Sequence, residues 1–195
     1  MMLSRMRWCA LTTALALSMV AGSPLAEGAN SRALREMQIH KISELGLEIW
    51  VENQPAWETE LSNKTGHPTF VAQSPDFYHP PVVMTYASWP KEKVQPEFMR
   101  DMAITAIRRA SENFGLNAAQ ARGIQPYEAS YGELRGYEGT FEGLSDGTPM
   151  DVRVFVGQAP GKFPVALSVY TLRGKLGHLK EPLRRGWGGI KYLPR

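Results

Sequence analysis

The sequence predicts an α+β fold in a single domain, an antiparallel β-sheet crossed by one long amphipathic helix. Three observations lead there. Gln95 to Leu116 is the only long segment with an unambiguous helical period and signals at both ends. Runs that alternate apolar and polar residues, the period of a strand with one buried face, flank it on both sides. The later runs are joined by turns too short for the crossover that parallel neighbours require, so they pair antiparallel.

The chain opens with Arg5 and Arg7 ahead of an apolar run, Trp8 to Val20, followed by the small residues and proline of Ala21-Gly22-Ser23-Pro24-Leu25-Ala26. This is the anatomy of a secretory signal peptide spanning residues 1–26, with cleavage expected between residues 22 and 30. The run is shorter than the roughly 20 residues of a membrane span, and no later stretch approaches that length. The mature chain is therefore expected to be soluble, without a transmembrane segment, and exported to the periplasm or the extracellular space. Cys9, the only cysteine, goes with the leader, which excludes thiol catalysis, disulfides and cysteine-based zinc sites together. Loss of Arg5 and Arg7 leaves 20 basic side chains against 19 acidic ones. A nearly neutral chain lacks the basic face of a nucleic-acid binder, and no such partner is expected. Lys175, Lys180, Arg184, Arg185, Lys191 and Arg195 make the one local excess, read as a solvated helix face and tail.

Residues 27–43 are mixed and charged and read as a linker or marginal helix, with the domain proper at 44–195. The mature chain's about 165 residues suffice for one substantial core. Leu45, Leu47, Ile49 and Val51 alternate with polar neighbours up to Pro55, giving a first strand. Thr69 to Ala72 and Val82 to Ala87 are two more, so three strands precede the helix. In the helix Met99, Met102, Ala103, Ala106, Ile107, Ala110 and Phe114 form the apolar stripe, and Arg100, Asp101, Arg108 and Glu112 lie opposite. Pro96 suits a first helical position and Gly115-Leu116 a left-handed stop. Asn117 to Arg122 makes one further turn stopped by Gly123.

Tyr127, Ala129 and Tyr131 follow, then Leu134 to Glu142, whose glycines call for a bulge or a close backbone approach. Ser145-Asp146-Gly147-Thr148-Pro149 is a turn leading into Met150, Val152, Val154 and Val156, which makes a hairpin. Gln158 to Lys162 turns into Phe163, Val165, Leu167 and Val169. Leu176, Leu179, Leu183, Trp187 and Ile190 recur at helical steps, with a terminal helix expected near Pro182.

This order resembles the PsbP, Mog and DcrB group of α/β sandwiches. The points of resemblance are the exported leader, Gly46-Leu47-Glu48-Ile49-Trp50 with Trp57 after it, Phe70 to Met84, the Pro96 to Phe114 helix, and Leu134-Arg135-Gly136-Tyr137 before the hairpin. They cover about residues 44 to 193. The resemblance implies a central antiparallel sheet of about six to seven strands with helices on both faces, used by known members mainly to bind other proteins, and no shared catalytic set. Tyr78-His79-Pro80-Pro81 departs from the group's pattern.

Chemistry has few anchors. His40, His67, His79 and His178 show no metal spacing, and Asp76 with His79 offers two ligands where a closed site needs about four. No metal or cofactor is assigned. There is no Gly-x-Ser-x-Gly elbow, and Gly186-Trp187-Gly188-Gly189 lacks the Lys-Ser/Thr of a phosphate loop. The glycines at 132, 136, 139 and 143 sit in strand context, and Glu138 with Glu142 reads as a pair of solvated neighbours on one strand face. The best surface is Asp76, Phe77, Tyr78, His79 and Trp89, an aromatic-rich stretch held stiff by Pro75, Pro80, Pro81 and Pro90. The expected function is that of an exported non-catalytic binding or accessory protein acting through protein–protein contacts. The alternatives are an exported hydrolase with its site near His79, and a carrier of a small apolar ligand in a helix–sheet cavity lined by Met99, Met102 and Phe114. The leader generates the first prediction. Intact-mass and N-terminal analysis of the exported protein should find a start between Ser23 and Ser31, and a retained Met1 would refute the leader assignment.

Overall fold

The computed structural model describes residues 37–63 and 66–194. The signal peptide and residues 27–36 lie outside the described residues. The described chain runs β1 (Met37–Ile42), β2 (Leu47–Glu52), β3 (Glu58–Ser62), β4 (Thr69–Gln73), β5 (Val82–Ser88), α1 (Met99–Asn113), α2 (Ala118–Gly123), β6 (Tyr127–Tyr131), β7 (Leu134–Ser145), β8 (Thr148–Gln158), β9 (Val165–Leu172), α3 (Lys180–Gly186) and β10 (Lys191–Tyr192). Short 3₁₀ turns, Pro96–Phe98 and Leu176–Leu179, lead into α1 and α3.

Seven strands form one sheet in the order β3-β4-β5-β9-β8-β7-β6, and β1-β2-β10 form a second. Every pairing is antiparallel. One face of the large sheet carries α1: Phe141, Met150, Val152, Val154 and Val156 pack against Met99, Ala103 and Ile107. The other face presents Phe70, Met84, Tyr86, Phe155, Val165 and Leu167 to Leu45, Leu47 and Ile49 of the small sheet and to Leu183 and Trp187 of the α3 region. The fold is thus α+β, with a central antiparallel sheet and a helix on each side.

Two readings are corrected. Residues 37–42 are not a linker or helix but strand β1, paired with β2 along its whole length from Met37↔Glu52 to Ile42↔Leu47. The strand read as first, now β2, belongs to the small sheet and not to the central one. Its alternation reports one well-buried side and is silent on which sheet buries it. β3 has no apolar period, and four of its five residues are exposed. It is an edge strand, and the carboxylates of Glu58 and Glu60 discourage further pairing there. Adding β3 and β1 makes five strands ahead of α1, not three.

The glycines of β7 find their reason in α1. A Cβ at Gly143 would lie 2.6 Å from Phe114 Cβ, and one at Gly139 would meet the Ile107 side chain at 3.0 Å. The helix therefore rests on the strand's backbone. Its end is bonded there too, because the Leu144 N–H donates to the Phe114 carbonyl at 2.8 Å. Gly115, at φ +80°, turns the chain away and lets the Leu116 N–H reach the Ser111 carbonyl at 3.1 Å. α3 starts at Lys180, two residues before Pro182, so the proline occupies the first turn where no N–H is needed.

Ile107 is 1% exposed at the centre of this contact, whereas Arg108 is exposed. Ile107→Asp should abolish cooperative unfolding at 25 °C, since an unpaired buried charge costs several kcal/mol out of a total stability of about 5–15 kcal/mol. Arg108→Asp should shift the melting temperature little. Equal loss in both variants would overturn the assignment of the helix faces.

Candidate functional site

The expected contact surface divides into three parts. Ser74, Pro75 and the residues up to Pro81 form the loop joining β4 to β5, closed by a Ser74 N–H bond to the Val82 carbonyl and a Val82 N–H bond to Ser74 Oγ, both 2.9 Å. Tyr78 turns inward. It is 8% exposed, its ring meets Trp57 edge-on at 5.4 Å, and its hydroxyl donates to Glu52 Oε2 at 3.0 Å. Glu52 Oε1 also accepts from the Arg185 guanidinium at 2.7 Å. The loop is thereby tied to β2 and α3 through a buried carboxylate. Asp76, Phe77 and His79 stay outside, with Phe77 71% exposed. Trp89 is not with them. It follows the other end of β5, a seven-residue strand of about 3.3 Å per residue, is half-buried, and bonds through its N–H to the Pro164 carbonyl.

Beside this loop lies a cleft of about 330 Å³ lined by His79, Pro80, Pro81, Leu172, Lys175 and His178. Spacing along the chain could not have brought the two histidines together. Two contacts do: Thr171 Oγ1 donates to the Pro81 carbonyl at 2.6 Å, and Asp151 Oδ2 accepts from the Gly174 N–H at 2.8 Å. The lining holds two imidazoles and one ammonium group, with no hydroxyl nucleophile and no carboxylate. Among the described residues, no group of three or more His, Asp or Glu is placed to hold a metal ion. His40 lies elsewhere, tilted against Phe70 at 5.1 Å, and burial lowers its pKa.

A second polar constellation was not anticipated. Glu138 is no solvated neighbour of Glu142: it is 5% exposed on the face of the large sheet toward α3. Its oxygens accept the hydroxyls of Tyr127 at 2.5 Å and Tyr131 at 2.6 Å, both from the adjacent strand β6. Arg153 of β8 stands 3.8 Å from the same carboxylate and reaches the Tyr131 hydroxyl at 3.4 Å. Register explains the gathering, for Tyr127 pairs directly with Glu138 across the β6–β7 ladder. Period alone puts Glu138 and Glu142 on one face but says nothing of what covers the first of them. Only Tyr127 and Tyr131, two residues on either side of Ala129, hinted at inward hydroxyls. Burial first, and then the Glu138 bond and charge, raise the Tyr127 pKa to about 12 and that of Tyr131 further. For Arg153 burial is the largest influence and works the other way, but Glu138, Tyr131 and Tyr127 together outweigh it, so its pKa rises.

No protein-family model matches the sequence, and no curated protein matches it. Among solved structures the fold is similar to that of cyanobacterial PsbP (CyanoP) from Synechocystis sp. PCC 6803, with a TM-score of 0.52 and 11% identity over 87% of this chain and 99% of that one. The fold is PsbP-like. LpqN, described as involved in cell envelope biogenesis of Mycobacterium tuberculosis, aligns with a TM-score of 0.45 and 14% identity over 76% of this chain and 83% of its own. A protein of Bacteroides thetaiotaomicron VPI-5482 aligns with a TM-score of 0.47 and 11% identity over 76% of this chain, which spans 46% of that longer one.

Tyrosine ionisation reads out the Glu138 cluster. Because the folded pKa values of Tyr127 and Tyr131 lie above the ordinary value near 10, their contribution to stability is complete below pH ~10 and is lost as pH rises through about 12 and beyond. Ultraviolet titration should show these hydroxyls ionising late, and Glu138→Gln should move them toward the ordinary range. Unchanged titration in that variant would refute the hydroxyl–carboxylate bonds.

Proposed function

We propose that this protein is an exported, non-catalytic accessory module that works by protein–protein contact, with Asp76, Phe77 and His79 as its contact surface. The observation that carries this reading is the pairing of an outward Phe77 with an inward, bonded Tyr78. A large apolar side chain presented on an already ordered loop loses little entropy on binding, and buried aromatics dominate interface energies. Tyr78 serves as the anchor of the surface, and Trp89 stands apart from it. The leader in the sequence supports export, and the resemblance to the PsbP, Mog and DcrB group, used by known members mainly to bind other proteins, fits the same role.

The two alternatives find less support. The cleft beside His79 offers imidazole without a hydroxyl nucleophile or an orienting carboxylate among its lining residues. The carrier reading needs space between α1 and the sheet. Phe114 instead stacks edge-on with Tyr170 at 5.2 Å and Phe141 at 6.0 Å beside the β7 glycines, and the cleft of about 360 Å³ at the opposite end of α1 is lined by Pro96 and Met99 but by neither Met102 nor Phe114.

A photo-crosslinking amino acid placed at position 77 should trap a discrete protein partner in the native compartment. The same probe at Phe98, another exposed aromatic at 59%, should not. Phe77→Ala should weaken capture of that partner at least tenfold with the melting temperature unchanged. Turnover of ester, amide, glycan or phosphate substrates by purified protein, abolished by His79→Ala without loss of stability, would refute this function.

A further inference from the structure

We infer that the cleft between the β6–β7 turn and α3 binds a compact oxyanion, a carboxylate or a phosphate group, on Arg153, Lys180 and Arg184. The cleft measures about 190 Å³ and is lined by Ser130, Tyr131, Gly132, Arg153, Lys180, Leu183, Arg184 and Gly188. At about 30 Å³ per water it holds some six waters, or one oxyanion of four or five heavy atoms with part of its shell. Three separate segments build it, and their approach is enforced by close backbone contact. A Cβ on Gly132, at φ +57°, would lie 2.4 Å from the Gly188 carbonyl oxygen, and Tyr131 meets Trp187 edge-on at 4.9 Å.

The charges converging there are unevenly matched. Lys180 and Arg184 are four residues apart, so they share one face of α3. Arg184 pairs with Glu181 at 2.9 Å, while Lys180 has no ion-pair partner among the described residues. Arg153 is the deeper group. A guanidinium carries five N–H donors in a planar fork, yet Arg153 makes one long hydrogen bond, and its buried Nε has none. Its counter-charge, Glu138, already takes a tyrosine hydroxyl on each oxygen and comes no nearer than 3.8 Å. A fork with unused donors beside an unpaired ammonium is the arrangement that recognises carboxylate and phosphate oxygens. The cleft shares no residue with the Phe77 loop, so its binding stands or falls separately from that loop's role.

Sodium phosphate and sodium acetate titrated separately into purified protein at fixed ionic strength should each be followed by the backbone amide resonances of Gly132 and Gly188. Saturable shifts with at least one anion are expected. Lys180→Glu, a change at an exposed position, should raise the dissociation constant at least tenfold, and Arg108→Glu on the far helix should leave it unchanged. Arg153→Lys, which keeps the charge and removes the fork, should weaken binding as well. Tighter phosphate assigns a phosphate-bearing ligand, whereas tighter acetate, with competition by a glutamate-rich peptide, assigns a carboxylate side chain. Shifts that rise linearly without saturation, or saturation indifferent to Lys180→Glu, would overturn the site.

Discussion

Burial of both faces of the seven-stranded sheet is the constraint from which the rest of this structure follows. An antiparallel sheet commonly leaves one face to water, and its strands then alternate between apolar and polar. Here β8 and β9 carry two apolar sets: Val152, Val154 and Val156 meet the long helix, while Phe155, Val165, Leu167 and Val169 meet the small sheet and α3. A sheet only one layer thick must therefore be matched by two covers of different shape. The helix cover comes close enough to need glycines beneath it, and the small-sheet cover is set by β1, β2 and the C-terminal segment together.

The second cover is not wholly apolar, and its polar groups organise the surface. Glu52 and Glu138 are both nearly enclosed; Glu52 is met by one tyrosine hydroxyl and an arginine, and Glu138 by two tyrosine hydroxyls and an arginine. Taking away one partner from such a group leaves a buried charge uncompensated, the costly case for an interior ion pair. These bonds consequently specify position. Glu52 holds the β4–β5 loop through Tyr78, so that Phe77 faces out, and Glu138 holds β6 through its two tyrosines.

α3 takes part in both arrangements through adjacent residues. Arg185 reaches inward to Glu52 and so braces the aromatic loop, while Arg184 and Lys180 face the cleft that Arg153 enters from the sheet. A short helix whose intrinsic stability is slight thus owes its place to Leu183 and Trp187 in the core, both 2% exposed or less. Arg185, Arg184 and Lys180, indistinguishable in the chain from a solvated face, are in this way divided between an internal ion pair and an external charged rim.

The residues alone determined what depends on local period and on backbone chemistry. The helix from Pro96 to Gly115, its buried stripe through Ile107, the Asp146-Gly147 turn and the hairpin strands after it were all legible, because 3.6- and 2-residue periods and positive φ angles are properties of short segments. So was the resemblance in element order to a PsbP-like fold. Tertiary structure alone decided which sheet each strand joined, since β2 and the central strands alternate alike, and it made strands of Met37–Ile42 and Glu58–Ser62, which have no period of their own. It also decided the sites. Tyr78 turned in and Trp89 fell to the far end of β5, His79 came to line one cleft with His178, and Glu138 met Arg153, because these are arrangements that only sheet register and packing bring about.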